Sequence, residues 1–301
     1  MAFDRAADCI VSRKRGGTMA QSLSKKKKNN ARSGDGLALD LRAMESILAQ
    51  FAEPGESGEL EAAQEIMWDA WDTDDRRRRV ALAKKALKTS PLCADAHVLL
   101  AQETARSIED ALQHYRRGVE AGEKALGAAA FRDDVGHFWG ILETRPYMRA
   151  RQGLAQSLWE SGAREEAVTH YQDMLRLNPN DNQGVRYIML DCLLTLGRDE
   201  EAGKLLKRYK NDGAAAWEWS GTLALFRRDG DSPGSRKALT RAVRANVHVS
   251  DYLLGRKKLP RDLPGFISMG GEDEAIAYAH DAAEAWAAAP GALAWVEKVL
   301  S

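Results

Sequence analysis

The chain has 301 residues, of which 44% are hydrophobic and 29% are charged, and its 44 Lys and Arg equal its 44 Asp and Glu. This composition is typical of a folded protein and excludes classes with extreme net charge or few apolar residues. No run of 18 apolar residues is present, so no transmembrane helix is predicted. The charge is uneven, because residues 1–36 hold nine Lys and Arg against three Asp and Glu, a net of +6, and the rest carries −6.

Residues 1–36 are predicted to form a disordered basic arm, because they bury too little surface to offset the entropy of ordering. The arm contains a run of four lysines, Lys25, Lys26, Lys27 and Lys28. Such an arm is either a solubilising tail or a contact for nucleic acid or anionic lipid. Met19 begins a second candidate N-terminus, so we expect either Met1 or Met19 to be the true start.

Three cysteines, Cys9, Cys93 and Cys192, lie far apart and form no CxxC pair. This spacing predicts neither a structural disulfide nor a zinc site and is typical of a reducing compartment. The first residues also lack the apolar core of a signal peptide. We therefore expect the protein in the cytoplasm.

Residues 37–301 are predicted to form an all-α domain. Residue types that favour helices (Ala, Leu, Glu and Arg) are abundant, while alternating runs of Val, Ile and Thr are nearly absent. Amphipathic patterns predict helices at Leu37–Phe51 and Glu59–Trp71. Apolar residues before Pro91, and the apolar run that begins at Ala94, predict the next two helices.

An internal repeat indicates the architecture. The sequence Gly-Ala-Arg-Glu-Glu-Ala at 162–167 recurs as Gly-Arg-Asp-Glu-Glu-Ala at 197–202, and this period of 35 residues is close to the 34 of a tetratricopeptide repeat. Each first glycine suits the tight turn between two antiparallel helices. A weaker unit spans 214–245, with its turn at 230–234. The sequence therefore predicts a tetratricopeptide-like α-solenoid of antiparallel helix pairs.

Two segments depart from the repeat. Pro91 and Pro179 are 88 residues apart, 18 more than two periods, and we place this surplus as an irregular insertion at about 119–146, after a helix that ends near Gly122. Beyond residue 246 the pattern breaks. Residues 247–301 are predicted to cap the array with atypical helices at 273–289 and 291–300 after an irregular loop.

Short segments also resemble a known family. Residues 89–101 (TSPLCADAHVLLA), 121–123 (AGE) and 273–279 (DEAIAYA) resemble the suppression-of-tumorigenicity seven family. Residues 136–140 (GHFWG) and 143–151 (ETRPYMRAR) are similar to soluble bacterial tetratricopeptide proteins related to that family. The resemblance covers roughly residues 60–300.

This resemblance implies a helical-repeat protein without an established biochemical activity, and it supplies no catalytic residues to transfer. The animal members of the family are membrane proteins. Because this sequence shows no candidate membrane span, we do not expect that localisation here.

Candidate binding residues come from the insertion and from the repeat register. The eight candidates are His137, Trp139, Glu143, Arg145, Arg149, Gln152, Gln156 and Arg186. A long insertion in a compact array is often functional, and the register predicts that the last four residues line the concave groove. Arginines there would clamp a carboxylate or a phosphate. The alternative is structural, with the charged side chains bracing the insertion and Phe138, Trp139 and Tyr147 filling the core.

The leading functional hypothesis is a scaffold that binds a peptide or protein segment on the concave face. Nucleic-acid or ribosome association through the Lys25–Lys28 run is the alternative. Common metal, phosphate, nucleophile and dinucleotide motifs are absent and the six histidines are scattered, so we expect no metal, no cofactor and no enzyme. A remaining catalytic alternative uses His137 with Glu143 or Asp134 as acid and base within 131–151.

Overall fold

The computed structural model describes residues 56–301. The predicted basic arm with Lys25–Lys28 and the helix predicted at Leu37–Phe51 lie outside this range. Within it the chain forms fourteen helices and no strand, which confirms the prediction of an all-α fold.

Ten of the helices form five antiparallel hairpins. The hairpins are α1 (Glu56–Asp72) with α2 (Arg76–Thr89), α3 (Ala94–Thr104) with α4 (Ile108–Asp133), α5 (Arg145–Glu160) with α6 (Arg164–Leu177), α7 (Val185–Thr195) with α8 (Asp199–Arg208), and α9 (Ala215–Asp229) with α10 (Pro233–Ala245). The remaining helices are α11 (Val249–Leu253), α12 (Glu272–Asp281), α13 (Ala283–Ala287) and α14 (Ala292–Leu300). The antiparallel helix pairs that the repeat at 162–167 and 197–202 predicts are therefore present.

Local chemistry explains the turns. Gly162 and Gly197 have φ of +91° and +72° at the turns of the third and fourth hairpins, a conformation that glycine adopts without steric cost. The fifth hairpin turns at Gly230 with φ of +63°. Ser232 and Ser235 then form a capping box that satisfies backbone groups at the start of α10.

The stack is curved. The first helices of neighbouring hairpins are in direct contact in three cases: α1 with α3, α3 with α5, and α7 with α9. In the described part of the chain, the second helices of successive hairpins make at most marginal contacts with each other. The first helices therefore lie on the inner side of the curve. Between α5 and α7 this direct contact is also marginal, so the inner face opens at that point.

The insertion differs from its predicted boundaries. Helix α4 continues past Gly122 to Asp133, with a kink at Gly127. Gly122 does not end the helix because it serves a close approach: a Cβ there would stand 2.9 Å from the Cβ of Tyr147. Only the segment at 134–144 is irregular.

This irregular segment packs on the outer side of the stack. The backbone N–H groups of Gly136 and Phe138 donate to the carbonyl of Leu177 at the end of α6, at 2.9 and 3.3 Å. The buried Phe138 ring packs against Phe131 and Tyr147, with centroid distances of 5.2 and 6.1 Å. The insertion therefore joins the ends of second helices and leaves the inner face open.

The C-terminal tail, residues 247–301, folds back onto the inner face. Helix α12 contacts α9, and α13 contacts α7. Trp286 of the tail packs edge-on against the buried Trp219 at 6.3 Å, and its indole N–H donates to the Tyr278 hydroxyl at 2.9 Å. The helix predicted at 273–289 breaks at Ala282, which separates α12 from α13. The tail thus becomes a wall beside α7 and α9.

Gly153 tests the packing between consecutive hairpins. A Cβ at Gly153 of α5 would stand 2.1 Å from the ring of the buried Tyr115 in α4. We expect Gly153→Ala to lower the free energy of unfolding by about 1–3 kcal/mol through overpacking, measured by urea denaturation.

The matched control is Gly203→Ala in α8, where an added Cβ would meet no atom within 4 Å. This change should raise the free energy of unfolding by about 0.5–1 kcal/mol, because it removes the extra freedom of glycine from the unfolded chain. Equal stability of Gly153→Ala and the wild type would contradict the packing described for α4 and α5.

Candidate functional site

The inner face carries two adjoining clefts. The larger, of about 1470 Å³, lies between α5, α7 and the tail, and the smaller, of about 280 Å³, lies between α1, α3 and α5. Gln156 of α5 lines both clefts. We call the two clefts together the inner groove. It runs along the first helices of all five hairpins, from α1 to α9.

The smaller cleft is mainly apolar. Its walls include Trp68, Trp71, Val98 and Tyr115. Trp68 is 62% exposed, which is unusual for a large aromatic side chain in a monomer. This end of the groove therefore offers an apolar surface to a ligand.

A buried ion pair forms the polar floor of the smaller cleft. The Nε atom of Arg149 in α5 donates to Oδ1 of Asp95 in α3 at 2.7 Å, and Asp95 is fully buried. The amide Nε2 of Gln64 in α1 donates to the other carboxylate oxygen at 2.8 Å. Because a buried charge without a partner is strongly destabilising, this pair joins three first helices and fixes their register.

Arg186 is held in a similar way in the larger cleft. Its guanidinium donates to Asp181 at 2.8 Å and to Asp212 at 2.7 Å, and it lies over the ring of Tyr187 at 4.2 Å. Asp181 is buried and also accepts from the backbone N–H of Val185 at 2.8 Å, so it caps the start of α7. The positive charge of Arg186 is thus compensated by acids of the chain itself.

The glutamines of the groove are only partly satisfied. Gln183 Nε2 donates to Gln152 Oε1 at 2.9 Å across the gap between α7 and α5. The other half of each amide, Nε2 of Gln152 and Oε1 of Gln183, is buried and has no hydrogen-bond partner within the described residues. Gln156 donates only to Glu160, at 3.3 Å. Polar groups left unpaired in this way carry a cost of desolvation.

Two acids of the larger cleft lack a cation. Asp191 of α7 accepts from the Ser220 hydroxyl at 2.9 Å, and burial, with a smaller contribution from the charge of Asp281, raises the pKa of Asp191 to about 8. Burial also raises the pKa of Glu160. Neither carboxyl forms an ion pair with another residue between 56 and 301.

The candidates from the insertion lie elsewhere. Arg145 donates to the carbonyl of Trp139 at 2.9 Å and stands over its ring at 5.5 Å. His137 and Glu143 are exposed, and neither lines either cleft of the inner groove. The eight candidates therefore divide into four in the groove and four elsewhere, with His137, Trp139 and Glu143 on the irregular segment and Arg145 at the start of α5. The acid–base alternative requires convergence in a cleft, and neither cleft of the inner groove is lined by His137, Glu143 or Asp134.

Sequence reasoning missed Asp95 and Asp191. Each is an isolated acid inside an apolar helix, since Asp95 lies between two alanines at the start of α3 and Asp191 lies between Leu190 and Cys192 in α7. A lone carboxylate in such a setting is a signal of a specific partner. Tyr278 of the tail also lines the larger cleft, but nothing in the sequence around it indicates this position.

Comparisons with known proteins find a matching family model and curated relatives. The model of the family described as "ST7 protein" matches residues 50–212. "Protein ST7 homolog" of Caenorhabditis elegans is 27% identical over 274 residues, covering 77% of this chain and 49% of the relative. "Suppressor of tumorigenicity 7 protein-like" of Homo sapiens is 28% identical over 256 residues, covering 78% of this chain and 44% of the relative. The chain thus spans about half the length of these curated relatives.

Among solved structures, the chain is similar to YrrB, described as "a TPR protein with an unusual peptide-binding site". The TM-score is 0.43 and the identity 15%, with 63% of this chain and 91% of YrrB covered. As for membranes, none of the helices in residues 56–301 combines the length and the apolar character that a bilayer crossing needs.

The raised pKa of Asp191 predicts a pH dependence of stability. An aspartate in an unfolded chain has a pKa of about 3.9, so between about pH 4 and pH 8 the folded state binds the Asp191 proton more strongly than the unfolded state. The contribution of this group to stability is therefore full below pH 4 and is lost as the pH rises through 8. Because asparagine does not titrate, Asp191→Asn should gain stability relative to the wild type from pH 5 to pH 8, measured by urea denaturation at both values.

Asp133→Asn is the matched control, since the exposed Asp133 pairs with Arg132 and its pKa is lowered by that bond. Its difference from the wild type should be the same at pH 5 and pH 8. A pH-independent difference for Asp191→Asn as well would show that Asp191 is ionised in the folded protein at neutral pH.

Proposed function

The chain belongs to the ST7 protein family, and from the geometry of its inner groove we propose that it is a non-catalytic scaffold that binds a peptide or protein segment there. The observation that supports this most directly is the continuity of the groove. Two clefts meet at Gln156 and together follow the first helices from α1 to α9. An extended chain fits such a surface better than a compact molecule does.

The size of the groove favours a macromolecular segment. The larger cleft alone has about 1470 Å³, whereas clefts for small ligands usually enclose about 300–1000 Å³. The larger cleft also has a wall on each side, because α5 and α7 face the tail across it. Such a trough holds an extended segment along its length and buries much of its surface.

The groove residues have two different roles in the proposed binding. We propose that Gln152 and Gln156 contact the bound segment directly, while Arg149 and Arg186 position the acids and aromatic rings of the walls. The side chains on the outer insertion, His137, Trp139, Glu143 and Arg145, form a separate surface for a partner protein. The ion pairs of Arg149 and Arg186 support this assignment, since both guanidinium groups already bond carboxylates.

The setting of this function is also a proposal. Cys93 and Cys192 are buried free thiols, which is typical of a reducing compartment, and we propose that the protein acts in the cytoplasm. The resemblance of residues 136–151 to soluble bacterial tetratricopeptide proteins supports the further proposal that the chain belongs to a bacterial branch of the family.

Nucleic-acid or ribosome binding is the second candidate function. It is favoured by one observation, the net charge of +6 in residues 1–36, which would attract phosphate. Its contact residues, Lys25–Lys28, lie outside the described residues. The groove residues and the Lys25–Lys28 run are different parts of the sequence, so the two functions do not exclude each other.

Blocking the groove at its narrow junction tests the scaffold function. We expect Gln156→Trp to abolish the binding of peptides selected from a random display library on the full-length protein, because the indole would fill the space that joins the two clefts. Fluorescence anisotropy with the selected peptides provides the measurement.

The matched control is Gln113→Trp, the same substitution at an exposed position of α4 outside the groove. This variant should bind the selected peptides as the wild type does. A failure of the library to yield any peptide, or equal binding by Gln156→Trp, would refute the proposed function.

A further inference from the structure

Three arginines in and around the inner groove are bonded to acids of the chain itself. Arg149 is bonded to Asp95, Arg186 to Asp181 and Asp212, and Arg164 to Glu284 of the tail at 2.7 Å. The guanidinium charges of Arg149, Arg164 and Arg186 are therefore already compensated. Arg208, the last residue of α8, and Lys210 are exposed at the rim, and Arg208 donates to the carbonyl of Leu175 at 3.0 Å.

Among residues 56–301, no cation forms an ion pair with Asp191 or Glu160 on the walls of the larger cleft. They lie on neighbouring first helices, α7 and α5, on either side of the opening. Glu160 is exposed and offers a carboxylate, whereas Asp191 is partly buried and its raised pKa of about 8 keeps it protonated at neutral pH. An incoming ammonium or guanidinium group lowers the pKa of Asp191 and stabilises its carboxylate through a charged hydrogen bond. The cleft is therefore complementary to a positively charged side chain.

The pair formed by Gln152 and Gln183 is an independent indication of a ligand. Gln152 is only 8% exposed and lines the smaller cleft, while Gln183 lines the larger one. Together they leave one N–H donor and one carbonyl acceptor unpaired. Exchanging the amide O and N atoms of both side chains leaves the same two functions free, so the conclusion does not depend on how the amides are assigned. One donor beside one acceptor matches the C=O and N–H groups of an extended main chain.

We propose that the inner groove binds an extended peptide segment that carries a lysine or arginine side chain, with the cation at Asp191 and Glu160 and the main chain at Gln152 and Gln183. This inference rests on the proposed function and specifies the partner class. The sign of the recognised charge is opposite to that of the arginine clamp predicted from the sequence. The apolar end of the groove, at Trp68 and Trp71, would take an uncharged side chain of the same segment.

Two synthetic peptides test the sign of the charge. The first is a capped, fluorescein-labelled peptide of alternating alanine, serine and lysine, and the second has glutamate in place of each lysine. The full-length protein should bind the lysine peptide and should not bind the glutamate peptide in fluorescence anisotropy. Asp191→Asn combined with Glu160→Gln should weaken binding of the lysine peptide about tenfold or more, because charged hydrogen bonds are lost.

The matched control is Asp133→Asn combined with Glu120→Gln, which removes the same two charges from exposed positions of α4. It should bind the lysine peptide as the wild type does, and circular dichroism checks that both double variants are folded. A second variant, Gln152→Ala, should weaken binding while leaving the preference for lysine over glutamate intact. The proposal would be overturned if the Asp191→Asn, Glu160→Gln variant bound the lysine peptide as tightly as the control does. Tighter binding of the glutamate peptide would overturn it as well.

Replacing Lys25, Lys26, Lys27 and Lys28 by alanine in the full-length chain detects competition from the chain's own lysines. If only this variant binds the lysine peptide, and Asp191→Asn weakens that binding, then the chain's own basic run occupies the groove in the wild type. Recognition of a cation by the groove would then still hold. Library peptides that bind in the groove without enrichment of lysine or arginine would reject this inference and leave the proposed function intact. A library that yields no binder would reject both.

Discussion

Each helix hairpin of this chain buries its apolar face by packing against the next hairpin. The structure therefore depends on the contacts between the first helices. They contact one another along the inner side of the curve, and the buried pair of Asp95 and Arg149 connects α3 to α5. Where α5 and α7 separate, the gap is bridged by the Gln152–Gln183 amides. The groove is the direct consequence of that local separation.

The tail converts this gap into a trough. Trp286 and Tyr278 anchor it on α9 through a chain of contacts that ends at Ser220 and Asp191, with Tyr278 and Ser220 joined at 3.1 Å. Glu274 strengthens the anchor by accepting from the backbone N–H of Ala215 at the start of α9, at 3.1 Å. The residues that hold the tail therefore also hold Asp191 in the cleft wall. Structure and recognition share one hydrogen-bonded network, so changes in Ser220 or Tyr278 would alter both.

Much of the architecture follows from local sequence signals. Gly162 and Gly197 mark turns because positive φ is a property of the single residue, and the capping serines of α10 act within a few positions. The groove depends instead on long-range partners. Asp95 and Arg149 are 54 positions apart, and no periodicity in the sequence pairs them. The sequence predicts a helix end near Gly122, yet this glycine lies inside α4 and allows the close approach of Tyr147, a contact that only the assembled hairpins create.

Hydrogen–deuterium exchange of the full-length protein with and without the lysine peptide tests the central claim most directly. Binding in the inner groove predicts slower exchange in α5, α7 and α12, which face the larger cleft, and unchanged exchange in the irregular segment at 134–144. Protection confined to the outer insertion or to the second helices would contradict the account, because the binding surface would then lie on the opposite side of the stack.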